Sequence, residues 1–183
     1  MELITGYKGG AHITADDDAA KIAALIGNDA YVLEHGSKFA YEISSNNLVT
    51  LSGGNLVFQG RHCRTKENEQ EECTIENGTQ GQMRNDLICV KYTKANDGKE
   101  SVEVVVVKGT PGTSATDPSY TTGDIEDGDK ECYIPLYRVV LNGLNIESVQ
   151  QLFKVYHRIP NFSYGTGDPS GGVDGDVYFK IIE

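Results

Sequence analysis

Apolar residues recur along this chain with two different periods, and the change between them comes early. Ala19, Ile22, Ala23 and Ile26 follow the three-and-four spacing that gathers side chains on one side of a helix. Thr14 offers a hydroxyl to cap a helix beginning at Ala15, and Asp16, Asp17 and Asp18 place negative charge at the positive end of its dipole. Gly27 supplies the stop. Beyond it the apolar positions alternate or cluster in short runs, the pattern of strands.

Strands are predicted over residues 31–33, 39–43 and 48–51, with Ser52-Gly53-Gly54 as a turn and extended chain resuming over 55–59 and 61–64. The hydrophilic stretch 65–72 reads as an exposed loop before a strand at 73–76. Asn77-Gly78-Thr79 reads as a further turn. Two apolar runs, 86–93 and 101–108, flank a linker containing Asp97-Gly98, a dipeptide suited to chain reversal, and so predict a long hairpin. Val104 to Val107 put apolar groups on both faces, which requires that strand to be central or covered. Residues 109–129, rich in Gly, Thr, Ser, Pro and Asp, form a long exposed connection. A strand over 133–141 turns at Asn142-Gly143 towards Ile146. The segment 148–156 fits either period, because Val149, Leu152, Phe153 and Tyr156 have helical spacing but strand-forming chemistry.

Pro160 marks a boundary, giving a β-rich domain over 1–158 and a Gly/Pro/Asp-rich segment over 159–183. The tail begins as turns around Gly167-Asp168-Pro169 and Gly171-Gly172 and ends in an alternating strand, Val177-Tyr178-Phe179-Lys180-Ile181. A single short strand cannot stand alone, so it has to join another sheet. The expected fold is mainly β: an antiparallel sandwich or barrel-like domain with one short N-terminal helix and a C-terminal strand segment.

Composition narrows the function. Sixteen basic against 27 acidic residues leave a net charge of −11, which argues against nucleic acid as a partner, since phosphate contact needs clustered positive charge. The N-terminus has no cationic region followed by an apolar signal core. No run reaches the roughly 18 apolar residues of a membrane helix. Synthesis in the cytoplasm without membrane insertion is the expectation. Cys63, Cys73, Cys89 and Cys132 include no Cys-x-x-Cys pair. Cys63 and Cys73 either face each other across a hairpin or stay as reduced thiols, the form a cytosolic protein favours.

No catalytic residues are assigned. The serines lack a nucleophile-elbow pattern, and there is no phosphate-binding Gly-Lys-Ser/Thr loop. Metal ligation is an alternative reading of Asp16 to Asp18, of His12 or His62 on an oligomer axis, and of Asp124, Asp127, Asp129 and Glu131. Ordinary helix-start, turn and loop roles account for the same residues, so neither metal nor cofactor is assigned. Ten tyrosines without tryptophan leave glycan binding as an alternative, with Tyr120, Tyr164 and Tyr178 as the turn-borne ligand candidates.

Several segments, taken in order, resemble baseplate and tail structural proteins of phages and prophages of Gram-positive bacteria. They include Gly6-Tyr7-Lys8-Gly9-Gly10-Ala11-His12-Ile13-Thr14, Gln59-Gly60-Arg61-His62, Asn77-Gly78-Thr79-Gln80-Gly81, Arg84-Asn85-Asp86-Leu87-Ile88, Val107-Lys108-Gly109-Thr110-Pro111 and Pro135-Leu136-Tyr137-Arg138-Val139. The tail resembles segments of phage fibre and baseplate proteins. The resemblance implies a non-enzymatic part of a virion tail or baseplate, a homo-oligomer with a trimer favoured, contacts with other tail proteins, and attachment to a host-surface glycan as a further role. On this reading Val105, Val107, Val177, Phe179 and Ile181 are the assembly-interface candidates.

Overall fold

The computed structural model describes residues 4–5, 12–157, 162–170 and 177–182. The motif residues 6–11, the boundary at Pro160 and the turn signals over 171–176 lie outside them. Helix α1 (Ala15–Ile26) starts as its sequence dictates. The Asp17 amide donates to the Thr14 hydroxyl at 3.1 Å, and the Thr14 amide donates back to the Asp17 carboxylate at 2.9 Å. This reciprocal box satisfies donors that would otherwise be orphaned. At the other end the Gly27 amide, at φ 99°, donates to the Ala23 carbonyl. Ala19 is the helix's buried residue, and its carbonyl lies 2.1 Å from where a Cβ on Gly60 would sit. The helix therefore rests directly on backbone at a residue with φ +73°, a position only glycine fills.

Strands make up most of the remainder and form a two-sheet sandwich. The first sheet holds β1 (Tyr31–Leu33), β2 (Tyr41–Ser45), β3 (Leu48–Phe58), β4 (Arg61–Thr74) and β9 (Lys154–Tyr156). Its hub is β3. One flank pairs with β4 along its length, and the other is shared by β2 and β1. The second sheet runs β6 (Glu100–Val107), β5 (Met83–Lys94), β7 (Glu131–Asn142), β8 (Asn145–Gln151). Pairing in both sheets is antiparallel except for β9 against β1. Val49, Leu51, Leu56 and Phe58 of the first sheet meet Ile88, Val90, Tyr92, Ile134, Leu136 and Leu141 of the second. Each such buried aliphatic or Phe side chain contributes about 1.5–3 kcal/mol.

The hairpin predicted from Asp97-Gly98 forms in full, Lys94 opposite Glu100 through to Leu87 opposite Val107, with Gly98 at φ 86°. Asn142-Gly143 likewise turns β7 into β8. Three expectations need correction. Gly53 and Gly54 do not make a turn but stay inside β3, because a Cβ at Gly53 would lie 2.4 Å from the Lys66 carbonyl and one at Gly54 2.5 Å from the Phe39 ring. The glycines serve close approach, not reversal. The polar stretch 65–72 is strand rather than loop. Gln70 pairs with Ser52 and Thr65 with Gly54, so residues 66–69 bulge out opposite Gly53. The strand expected over 39–43 begins at Tyr41, because Lys38 and Phe39 take φ of 53° and 56°. The valine-rich β6 is not central: it is the edge of its sheet, and Val104 to Val107 are half-buried there. The ambiguous 148–156 segment resolves as strand, the end of β8 and then β9.

Cys63 and Cys73 lie on one strand, opposite Leu56 and Val49, so they do not face each other across a hairpin. All four thiols are free. Burial pushes the thiols of Cys63, Cys73 and Cys89 up to about 12, which leaves them unreactive.

Two arginines lock the ends of the sandwich. Arg84 and Asp86 are almost fully buried and paired at 2.8 Å. Arg84 also donates to the carbonyls of Glu76 and Asn77, and Asp86 accepts the Gly109 amide. Elsewhere Arg61 donates twice to Glu100, both at 3.0 Å, and once to Asp16 of α1, while Lys94 approaches the same Glu100 at 3.3 Å. Hydrogen bonds from Arg61 hold the Glu100 carboxyl down at about 2.

Asp86→Ala leaves the buried Arg84 cation unpaired, and chemical denaturation should show a loss of about 3–5 kcal/mol. Glu100 carries a pH signature. Its folded value lies below the ordinary 4.5, so between pH 4.5 and about 2 the unfolded chain binds more protons than the folded one. The stabilisation is complete above that window and is lost as pH falls through it. Glu100→Gln should cost about 1–2 kcal/mol at neutral pH and flatten the acid limb of a stability-versus-pH curve.

Candidate functional site

The tail folds into a ribbon of its own. Strand β10 (Phe162–Gly165) pairs in parallel with β11 (Val177–Lys180), so residues 163–165, expected in a turn-rich stretch, are strand. Register sorts its side chains. Tyr178 and Lys180 share one face with Gly165, where a Cβ would lie 2.6 Å from the Tyr178 hydroxyl. That face is closed by its own turn: the Tyr178 hydroxyl donates to the Gly167 carbonyl at 3.0 Å, and Lys180 pairs with Asp168 at 2.6 Å. By alternation the opposite face carries Tyr164, Val177, Phe179 and Ile181. Tyr164 is 79% exposed, Phe179 60% and Ile181 49%. The ribbon is thus amphipathic, with a polar side that is internally satisfied and an apolar side on which Tyr164 and Ile181 are largely exposed and Val177 is half-buried.

This arrangement divides the residues expected at an assembly interface. Val177, Phe179 and Ile181 come together with Tyr164 on the ribbon. Val105 and Val107 belong to the body, on the β6 face that they share with Cys89 and Leu87 of β5, and both are half-buried. Tyr178 is occupied in closing the polar face. Tyr120 is 39% exposed and lines a cavity of about 400 Å³ with Leu87, Pro135 and Leu152, rimmed by Asp29, Asp117, Arg138 and Lys154.

Sequence reasoning did not anticipate why β5 is buried on both faces. Leu87 and Cys89 point away from the core between the sheets, on the side that carries Asn85, yet they are 1% and 0% exposed. The chain over 113–121 crosses this side as a strap. It leaves a bridge between Gly112 and Met83, and it reaches the opposite end of the β5–β7 pair, where the Tyr133 amide donates to the Thr121 carbonyl at 2.9 Å. Midway, Asp117 accepts from Asn85 of β5 at 2.8 Å and from both the Nε and the terminal nitrogen of Arg138 on β7. Those bonds, from Arg138 first, pull the Asp117 carboxyl below its ordinary value. Nothing local in the Thr-Ser-Ala-Thr-Asp-Pro-Ser run signals this anchor, because its partners lie 21 and 32 residues away.

The acids of the 124–129 turn and the two histidines have partners of their own. Asp124 accepts the amides of Glu126 and Asp127, and Asp129 accepts that of Asp124, so these acids shape their own turn. The His12 ring contacts the Ile4 carbonyl at 2.9 Å, and His62 contacts the Asn55 side chain at 3.2 Å. Among the described residues no helix is long and apolar enough to cross a membrane. Neither a protein-family model nor a curated protein sequence matches the chain.

Asp117→Ala should release the strap without opening the core. We expect amide exchange at Leu87 and Cys89 to accelerate and Cys89 to become modifiable by a thiol reagent under native conditions, with Cys73 still protected. Equal protection of Cys89 in the variant would show that the strap is held by something other than its ion pair.

Proposed function

We propose that this chain is a non-enzymatic structural protein of a phage or prophage tail tip or baseplate, and that it assembles as a homotrimer through its C-terminal ribbon. The observation that carries assembly is the exposed apolar face of a two-stranded parallel pair. Parallel strands occur with both faces covered, and a two-stranded ribbon in water is marginal on its own. Tyr164, Val177 and Ile181 provide a surface that further copies can cover, while the closed polar face sets which side turns to solvent. Cyclic packing of identical ribbons buries that surface without open-ended growth.

The tail-protein assignment draws on the ordered sequence resemblance described above, and the trimer follows from it. The β-sandwich body, tied by buried and half-buried arginine pairs, suits a part that bears load rather than one that turns over a substrate. Its acidity keeps it soluble until it is built into a larger particle. Neighbouring tail proteins are the expected partners.

Light scattering of the full chain and of a truncation ending at Arg158 tests this directly. The full chain should have three times the mass of one copy and the truncation a single mass. A monomer at full length sinks the proposal, and a trimer in both transfers assembly to the body. Tyr164→Asp, which places a charge on the exposed face and leaves the body untouched, should lower the mass of the full chain in the same way.

A further inference from the structure

The body holds an aromatic cleft that none of the expected ligand residues belongs to. Tyr41 and Ile43 of β2 lie opposite Leu51 and Val49, so they face the second sheet, but β2 overhangs its edge and leaves them 43% and 44% exposed. Beneath Tyr41 is Tyr137 of β7, edge-to-face with ring centres 5.2 Å apart at 68°. Tyr137 in turn meets Phe153 at 5.5 Å and 88°. Tyr137 and Phe153 are buried, so the exposed Tyr41 ring is propped on a rigid aromatic stack.

The rim of this cleft is polar and uncommitted. Ser37, Lys38 and Gln151 line it together with Ala40 and Val155, around a volume of about 360 Å³. Among the described residues the Ser37 hydroxyl, the Lys38 ammonium and the Gln151 side-chain carbonyl have no hydrogen-bond or ion-pair partner, while the Gln151 amide nitrogen donates to the Phe153 carbonyl. Lys38 is held there by an unusual backbone. Lys38 and Phe39 are consecutive left-handed residues, a conformation costing each about 1–2 kcal/mol. The segment is fixed from three sides: the Phe39 ring against Gly54, the Phe39 amide on the Gly53 carbonyl at 3.2 Å, and the Tyr137 hydroxyl donating to the Phe39 carbonyl at 3.0 Å. The bond that positions Lys38 therefore comes from the ring that supports Tyr41.

We infer that this cleft binds a pyranose sugar. A pyranose presents a face of C–H groups, which packs against the electron-rich face of an aromatic ring, and an equator of hydroxyls that both donate and accept. Tyr41 offers the ring, Gln151 an acceptor, Lys38 a donor and Ser37 both. The two larger cavities fit such a ligand less well. In the one beside α1, also about 400 Å³, Arg61 and Lys94 are already taken by Glu100, and no aromatic ring lines it. In the Tyr120 cavity, Arg138 and Asp117 satisfy each other, and Asp29 accepts from the Tyr31 hydroxyl at 3.3 Å. The inference concerns the body alone and holds whether or not the tail trimerises.

The test is a titration of the full chain with glucose, galactose, rhamnose and N-acetylglucosamine, followed by NMR of labelled Tyr and backbone amides. At least one sugar should give saturable shifts over residues 37–41 and 151–155 with millimolar affinity. Tyr41→Ala should weaken it about tenfold or more, and Gln151→Ala should also weaken it. Tyr41→Leu, which keeps the bulk over Tyr137, should lose binding while leaving the thermal midpoint near that of the parent chain, so that a folding defect is not mistaken for loss of the site. Tyr120→Ala and Tyr164→Ala should bind as the parent does. The inference is overturned if none of the four sugars gives saturable shifts, if Tyr41→Leu binds unchanged, or if the shifts map to Tyr120.

Discussion

Strand β5 sets the terms for the body. Arg84 to Val90 are buried without interruption, so this strand needs cover on both faces as well as a neighbour on each edge. The edges are met by β6 and β7, and the inner face by the first sheet. The outer face falls to a strap with no regular structure, which is why that strap has to be pinned rather than merely laid down. Burial of Asp86 on the inner side imposes a second demand, a cation at close range. Arg84, two residues along the same face, supplies it and also takes up two loop carbonyls.

Three arginine–carboxylate contacts are thus distributed where regular hydrogen bonding ends. Arg84–Asp86 closes the end near Glu76, Arg138–Asp117 holds the strap, and Arg61–Glu100 with Asp16 gathers α1, β4 and β6. They are not equivalent. The first is nearly dry and matters chiefly through the penalty of breaking it. The other two are partly exposed, where the two-pronged geometry gives direction as well as a modest energy. What they share is reach: the residues joined by the latter two are 21 to 45 positions apart.

Local chemistry was legible from the chain. The helix cap at Thr14, the reversal at Asp97-Gly98 and the turn at Asn142-Gly143 are each decided within a few residues, and each forms as read. The sequence misled where a residue's reason lies far away. Gly53-Gly54 resembles a turn, yet its lack of side chains answers to Lys66 and Phe39. The charges of residues 65–72 look like a loop because an edge strand needs no apolar outer side. Strap and cleft were invisible for the same cause: Asp117 and Tyr41 acquire meaning only through Arg138 and Tyr137, partners brought near by sheet register. The exposed tail strand was readable, but its partner β10 was not, since Gly and Thr nearby outweighed the short Phe-Ser-Tyr run.

The bulge in β4 has a consequence for how the protein survives at high concentration. At fourteen residues β4 is the longest strand and lies at an edge of its sheet, the geometry that invites another molecule to add a strand. Its composition, with Lys66, Glu67, Glu69, Glu71 and Glu72 in the outer run, places charge against any incoming backbone, and the excursion at 66–69 breaks the straight row of amides and carbonyls into two short pieces. Neither piece is a template for a fibril. The longest edge in the body is thereby closed to the open-ended strand addition that its length would otherwise invite.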